Sequence, residues 1–333
     1  MKRVTLKDIS RECGFAVSTV SNILNDQKDC YASEEVKALV KATAERLNYH
    51  KDYLSVSLRT KKTYSVGLCV DRVLDETRSD FIRGFTQGCN NGGYEVALMD
   101  HRFEPRRLLE NIHFFEQRYK DGMVIFTDFF EPLKDEESRL LKETLSRIKI
   151  PVIGIGSAFQ TCISSMDIDR SWVLDDVLER LTQYRREEIL IVYKNDFDFR
   201  RGDNGIRELG TQILEHIWTP QDFIQGWESL PHRHTIRAVF FRTDAIAIPA
   251  MKYFKSKGIH VPSDLEVISF DNFRFSEYTD PPLTTYDLNF NKLGQYACQT
   301  LIALMGETSH SVRELQLIRP HFIGRDSHRE TRE

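Results

Sequence analysis

Two short helical segments set around a glycine, all within residues 4–25, constrain this chain more than any other stretch of it. Thr5 is placed to cap a first helix, Asp8 stands three residues on as a capping partner, and Leu6 and Ile9 share one face. Gly14 supplies the break between the helices. The spacing predicts a second helix from about Val17 to Leu24 that buries Val20 and Leu24 against the first and turns Val17, Ser18, Ser21 and Asn22 outward. A helix of that length with a small polar outer face fits a DNA major groove. Ser33, Glu34 and Glu35 then open a third helix, in which Val36, Leu39, Val40, Ala44 and Leu47 recur at helical spacing up to Asn48 and Tyr49. This third helix closes a small all-α core.

The charge distribution agrees with a nucleic-acid reader confined to that end. Residues 1–63 hold 12 Lys and Arg against 8 Asp and Glu, a net of +4, although the whole chain carries −4 and the remaining 270 residues therefore −8. A modest basic footprint precedes an acidic body that should not bind phosphate broadly. The 333 residues leave room for that reader and two further units of ordinary size. The six cysteines, at 13, 30, 69, 89, 162 and 298, show neither short paired spacing nor a His cluster, so reduced, packed thiols are expected and no metal site. No apolar run nears the ~20 residues that span a bilayer, and no apolar secretory segment opens the chain. A cytoplasmic protein with no membrane contact is expected.

Residues 50–63 are polar and basic and read as a hinge. From Ser65 apolar strands alternate with amphipathic helices: strands at 65–70, 94–99, 122–126 and 151–155, with helices near 80–91 and 105–118 between them. A second series has strands at 189–193, 238–241 and 265–270. This is the pattern of two doubly wound parallel sheets, which bind ligands at the carboxyl ends of their strands.

The run Thr19-Val20-Ser21 followed by Leu24-Asn25, then Leu47-Asn48-Tyr49 and Leu58-Arg59-Thr60, resembles the lactose-repressor (LacI/GalR-type) family. The resemblance continues through Asp244-Ala245-Ile246-Ala247, Gly258 to Pro262, Phe270-Asp271-Asn272 and Pro281-Pro282-Leu283-Thr284-Thr285. It implies an N-terminal all-α helix-turn-helix domain (1–49), a hinge (50–63) and a two-lobed α/β body like the periplasmic binding proteins (64–333). In such a body the chain crosses between lobes three times, giving a first lobe of about 64–158 plus 291–323 and a second of about 159–290. The resemblance further implies a homodimer on a palindromic operator in double-stranded DNA, acting as a repressor under a small-molecule effector, possible sugars included. In that family a hinge leucine wedges into the minor groove, and Leu58 holds its place.

With the second helix in a groove, Val17, Ser18 and Asn22 are placed for base edges, Asn pairing best with adenine and Val offering only apolar contact. Thr5, Thr19, Ser21, Asn25 and Tyr31 suit phosphate or sugar. The chain departs from the family in having Ala16 where a capping Ser is usual, Asn22 where Arg is common, Ser55-Val56 for Ala-Arg, and Lys51 for Pro. In the cleft, Asp271 matches a family effector position and Asp244 a family marker with local hydrogen bonding as its expected work. Phe126 and Gly156 replace the usual Asn and Asp, Thr243 replaces Asn, and the expected arginine falls on Gly202 with Arg200 and Arg201 just off register. A sugar held through Asp271 alone would leave hydroxyls unpaired at about 1–3 kcal/mol each. Phe126, Arg201 and Trp227 are the further candidates, suited to an anionic, aromatic or stacked ligand. No Walker loop, Gly-x-Ser-x-Gly, zinc spacing or complete dinucleotide fingerprint is present, so neither an enzyme nor a cofactor is expected. A stand-alone sugar-binding protein is the rival, disfavoured by residues 1–60.

Overall fold

In the computed structural model the described residues are 4–25, 30–49, 57, 62–118, 120–127, 135–156, 159, 163–194, 209–306 and 315–329. They form two units, Met1–Thr63 and Tyr64–Glu333.

The first unit contains helices α1 (Leu6–Cys13), α2 (Val17–Leu24) and α3 (Glu34–Arg46). Asp8 accepts from the Thr5 backbone at 2.9 Å and from its hydroxyl at 2.7 Å, which fixes the start of α1. Gly14 ends it at φ +78°, where a side chain would be strained. Ser33 caps α3 by accepting from the Val36 N–H. The core consists of Ile9, Val20, Ile23, Val40 and Ala44. Two expectations shift here. On α2, Ile23 rather than Leu24 partners Val20 in the core, Leu24 being only partly buried. On α3, Leu39 is 50% exposed and Thr43 is buried in the turn that follows, because the buried stripe runs Val36, Val40, Thr43 and Ala44.

The second unit holds two six-stranded sheets. The first has the order β11-β5-β4-β3-β1-β2 and the second β12-β10-β9-β8-β6-β7. Here β1 is Ser65–Val70, β2 Glu95–Asp100, β3 Gly122–Phe126, β4 Val152–Ile155, β5 Ser164–Ile168 and β6 Ile189–Val192. The others are β7 Gln212–Leu214, β8 Ala238–Phe241, β9 Glu266–Phe270, β10 Thr284–Asp287, β11 Leu315–Ile318 and β12 His321–Ile323. All neighbours run parallel except β10 and β12. Strand β1 is buried on both faces because each is covered: Val66, Leu68 and Val70 meet Phe81 and Phe85 of α4 (Glu76–Asn91), while Cys69 meets Phe115 of α5 (Pro105–Gln117) and Leu141 of α6 (Asp135–Arg147). The second sheet lies between α7 (Arg170–Arg180) on one face and α8 (Pro220–Ser229) with α9 (Asp244–Ser256) on the other.

Helix α10 (Phe290–Gly306) packs on α4 in the first lobe. A Cβ on Gly84 would lie 1.9 Å from the Asn291 carbonyl oxygen, and one on Gly294 2.3 Å from that of Phe81, so only glycines allow this approach. The lobe limits differ from expectation. Strand β5 pairs with β4, so the first lobe runs on to Ile168, and β12 pairs with β10, so the chain returns to the second lobe after Ile318. Ser327 then seals the tail there, donating to the Val267 carbonyl at 2.6 Å and accepting from the Thr284 N–H at 2.7 Å.

Candidate functional site

On α2, Val17 is 38% exposed and Ser18 is exposed, whereas Val20 and Ile23 are buried, so one face of the helix holds the unit together and the other is left for a partner. Thr19, Ser21 and Asn22 are partly exposed and Thr5 and Tyr31 exposed. Not all of these polar groups face outward with equal freedom. The Asn25 amide donates to the Ser21 carbonyl at 2.7 Å and to its hydroxyl at 3.2 Å, tying off the end of α2, and the Thr5 hydroxyl is spent on Asp8. Ala16 sits at the N-cap with no side-chain hydrogen bond, as its methyl dictates. Leu58, Lys51, Ser55 and Val56 lie outside the described residues.

In the second unit a cleft opens at the carboxyl ends of the strands. Phe126 ends β3, Gly156 follows β4, Arg242 follows β8 and Asp271 follows β9. The three crossings between lobes add Ile168 with Arg170, Leu288 with Phe290, and Ile318. Arg78 grips Asp71 with both ends of its fork, at 2.8 and 2.9 Å, and lays its face 4.1 Å from the centre of the Phe126 ring. Arg170 reaches Asp167 at 2.5 Å. Arg242 approaches Asp271 only to 3.8 Å, while its face lies over Phe270.

Asp271 is the most constrained residue of the site. Its φ of +113° lies in a region that side chains disfavour, and Asn272 follows at +50°. Burial pushes its carboxyl up to about 7, against the pull of Arg242 and a hydrogen bond from Thr243 at 2.6 Å. Asp244 holds the loop in this shape. It accepts from the Phe273 N–H at 2.8 Å, the Ser276 hydroxyl at 2.5 Å and the Thr285 hydroxyl at 2.9 Å, and its own carboxyl is raised by burial.

These positions sort the candidates. Phe126 and Asp271 line the cleft; Asp244, fully buried, supports the loop behind it and does not line it. Trp227 is a correction: it is 4% exposed in the core between α8 and α9, against Phe223 and Phe254, because it continues the buried stripe of an amphipathic helix. Arg200, Arg201 and Gly202 lie outside the described residues. Three lining arginines, 78, 170 and 242, were not singled out from sequence. The signal for Arg242 was its place one residue past an apolar strand, where cleft residues sit; Arg78 and Arg170 needed the fold.

Comparison with known proteins follows the same division. Residues 5–52 match the model of bacterial regulatory proteins of the lacI family, and residues 162–328 that of the periplasmic binding protein-like domain. The chain belongs to the lacI family. Among its relatives, this LacI-family chain is 25% identical to the ribose operon repressor of Escherichia coli K12, across 94% of its own length and 96% of the repressor's. It is 24% identical to the HTH-type transcriptional repressor PurR of Mannheimia succiniciproducens, across 97% and 98%. The lac repressor dimer bound to operator and the anti-inducer ONPF has the same fold, with a TM-score of 0.82 at 19% identity over 98% of this chain and 99% of that one. LacI-family proteins are regulators that join a DNA-binding helix-turn-helix to an effector-binding body, and this chain carries both parts. Among the described residues no helix is long and apolar enough to cross a membrane.

Proposed function

We propose that the chain is a cytoplasmic, homodimeric transcriptional repressor that reads a palindromic operator with α2 and is switched by a small molecule held in the inter-lobe cleft. The observation that carries this is the split character of α2: Val20 and Ile23 are consumed by the core, which leaves Val17 and Ser18 exposed and Asn22 partly so on the opposite face. Val17, Ser18 and Asn22 read base edges; Thr19, Ser21 and Tyr31 hold the backbone of the duplex, while Thr5, whose hydroxyl is held by Asp8, fixes the start of α1 and Asn25 the end of α2. Leu58 enters the minor groove between the two copies. A ligand that favours one lobe arrangement by about 2.7 kcal/mol changes operator affinity roughly a hundredfold.

The test is selection of binding sites from random duplex DNA by the purified full-length chain, repeated with Asn22→Ala. Enrichment of a two-fold symmetric site is expected, with one base position per half-site relaxed in the variant at a cost of about 1–3 kcal/mol. Failure to enrich any symmetric site would remove this reading. Equal weakening on every sequence would return Asn22 to a backbone-contacting role.

A further inference from the structure

The wall of the cleft restricts what can fill it. Of the described residues that line it, eight are apolar, five are charged and one is Gly156, and no neutral polar side chain among them faces it. A polyol has hydroxyls on every side and would bury several of them against Ile155, Met166, Leu288 and Leu293 without partners. The charged groups are three arginines and two carboxylates, Asp167 and Asp271, and the arginine side chains are only 12%, 11% and 14% exposed for residues 78, 170 and 242. Guanidinium forks set in an apolar wall suit the planar pair of oxygens of a carboxylate or two oxygens of a phosphate.

The three are not equivalent. Arg78 is held at both ends by Asp71, a fully buried carboxylate outside the cleft, and serves the Phe126 wall. Arg170 stands at the first residue of α7 beside Asp167. Arg242 meets Asp271 at a distance longer than a hydrogen bond. Of the two lining carboxylates, Asp167 is ion-paired with Arg170 at 2.5 Å, and Asp271 is the one that faces an incoming anion beside Arg242. Around it stand Arg242, Thr243, Asp244 and Asp75, and its burial raises its proton affinity, so it takes up a proton beside an anion more readily than an ordinary carboxylate does.

We infer that the effector is a compact organic oxyanion, a carboxylate or phosphate ester on an apolar ring-sized body, bound through Arg170 and Arg242 with Phe126 and Phe290 against the body. This rests on the cleft being the effector site of a regulator.

The experiment is calorimetric titration of the full-length protein with benzoate, phenyl phosphate, benzyl alcohol and ribose, with operator selection run in parallel. At least one of the two oxyanions binds, and which one does separates carboxylate from phosphate. Benzyl alcohol, which keeps the ring without the charge, and ribose bind at least about tenfold more weakly. Arg242→Gln and Arg170→Gln each lower oxyanion affinity by about tenfold or more, with an unchanged thermal transition showing that the variant is folded. Ribose binding in preference to both oxyanions, no binding of either oxyanion, or oxyanion binding that survives both arginine substitutions overturns the inference. A protein that selects a symmetric operator but ignores both oxyanions defeats only this inference. One that binds an oxyanion through these arginines but selects no operator defeats the regulator reading and leaves the chemistry of the cleft in place.

Discussion

Arg274, in the second lobe, donates its backbone N–H to the carboxylate of Glu76 in first-lobe helix α4 at 2.7 Å. Its guanidinium lies 3.2 Å from Asp80 on the same helix, but with Arg274 65% exposed this ion pair is screened and contributes little. The backbone bond to a partly buried carboxylate is the stronger link. Arg274 stands three residues after Asp271, so the loop that faces the cleft also ties the lobes together. Glu76→Ala removes the acceptor, and a charge-assisted bond of about 1.5–3 kcal/mol corresponds to at least about tenfold faster exchange of the Arg274 amide. Arg274→Ala keeps the N–H and should change the exchange little. Native-state hydrogen exchange across 271–276 distinguishes the two, and equal protection in both variants would mean that the bond does not restrain the lobes.

Asp271 gives the protein a dependence on pH of unusual sign for a carboxylate. Its folded value, pushed up by burial to about 7 against the Arg242 attraction, lies above the ordinary value of 3.8. Between the two the native state binds the extra proton, so this contribution to stability is full below the unfolded value and is lost as pH rises through the folded one. At about 1.4 kcal/mol per unit displaced, the loss is at most about 4 kcal/mol. Asp271→Asn cannot titrate, and its urea midpoint should gain on the parent's between about pH 5 and pH 8. Parallel pH profiles for the two proteins would mean that the carboxylate is stabilised in its charged form despite its burial.

What the sequence revealed and what it concealed have the same cause. Strands such as Ser65–Val70 are covered on both faces and advertise themselves as apolar runs. Strand β5, Ser164–Ile168, is polar at Ser164, Ser165 and Asp167 and looks like a loop; it is a strand because β4 and β11 hydrogen-bond to it from either side. Helix α4 starts at the Asp75 cap, which accepts from the Thr77 and Arg78 N–H groups, several residues before the apolar repeat becomes visible near Asp80. In the site, Asp271 was legible because it follows an apolar strand inside a family marker. Trp227 misled because composition cannot tell a ring that stacks on a ligand from one that fills a core. The pairing of Arg78 with Asp71 joins a helix to the end of a strand, and no periodicity encodes it.

The α4–α10 contact sets the spacing of the first lobe through two glycines. Gly294→Ala would place a methyl 2.3 Å from the Phe81 carbonyl oxygen, and since that atom is backbone rather than a mobile side chain the helices must separate. Overpacking of this kind costs about 1–3 kcal/mol and outweighs the gain of about 0.5–1 kcal/mol from replacing a helical glycine. A lowered unfolding midpoint is expected, whereas Gly306→Ala, with nothing within 4 Å, should be near neutral or stabilising. A raised midpoint for Gly294→Ala would show that the helices have room to part.

Ala16 occupies a position whose backbone is already shaped for capping. Its φ of −58° and ψ of 145° are extended, yet no side chain answers the first N–H groups of α2, and no acidic residue stands in the first turn to offset their charge. The helix is only 8 residues long, so its ends weigh heavily in its stability. Ala16→Ser supplies a hydroxyl that can accept from the second or third N–H, worth about 1 kcal/mol and therefore roughly fivefold slower amide exchange in α2. Ala16→Gly should leave exchange nearly unchanged or faster, which separates a cap from a mere change in backbone freedom. If α2 is the element that enters the operator, the serine variant should also bind it somewhat more tightly, since less order remains to be imposed on binding. Unchanged exchange in α2 of the serine variant would mean that those N–H groups already have partners and that the missing cap costs the helix nothing.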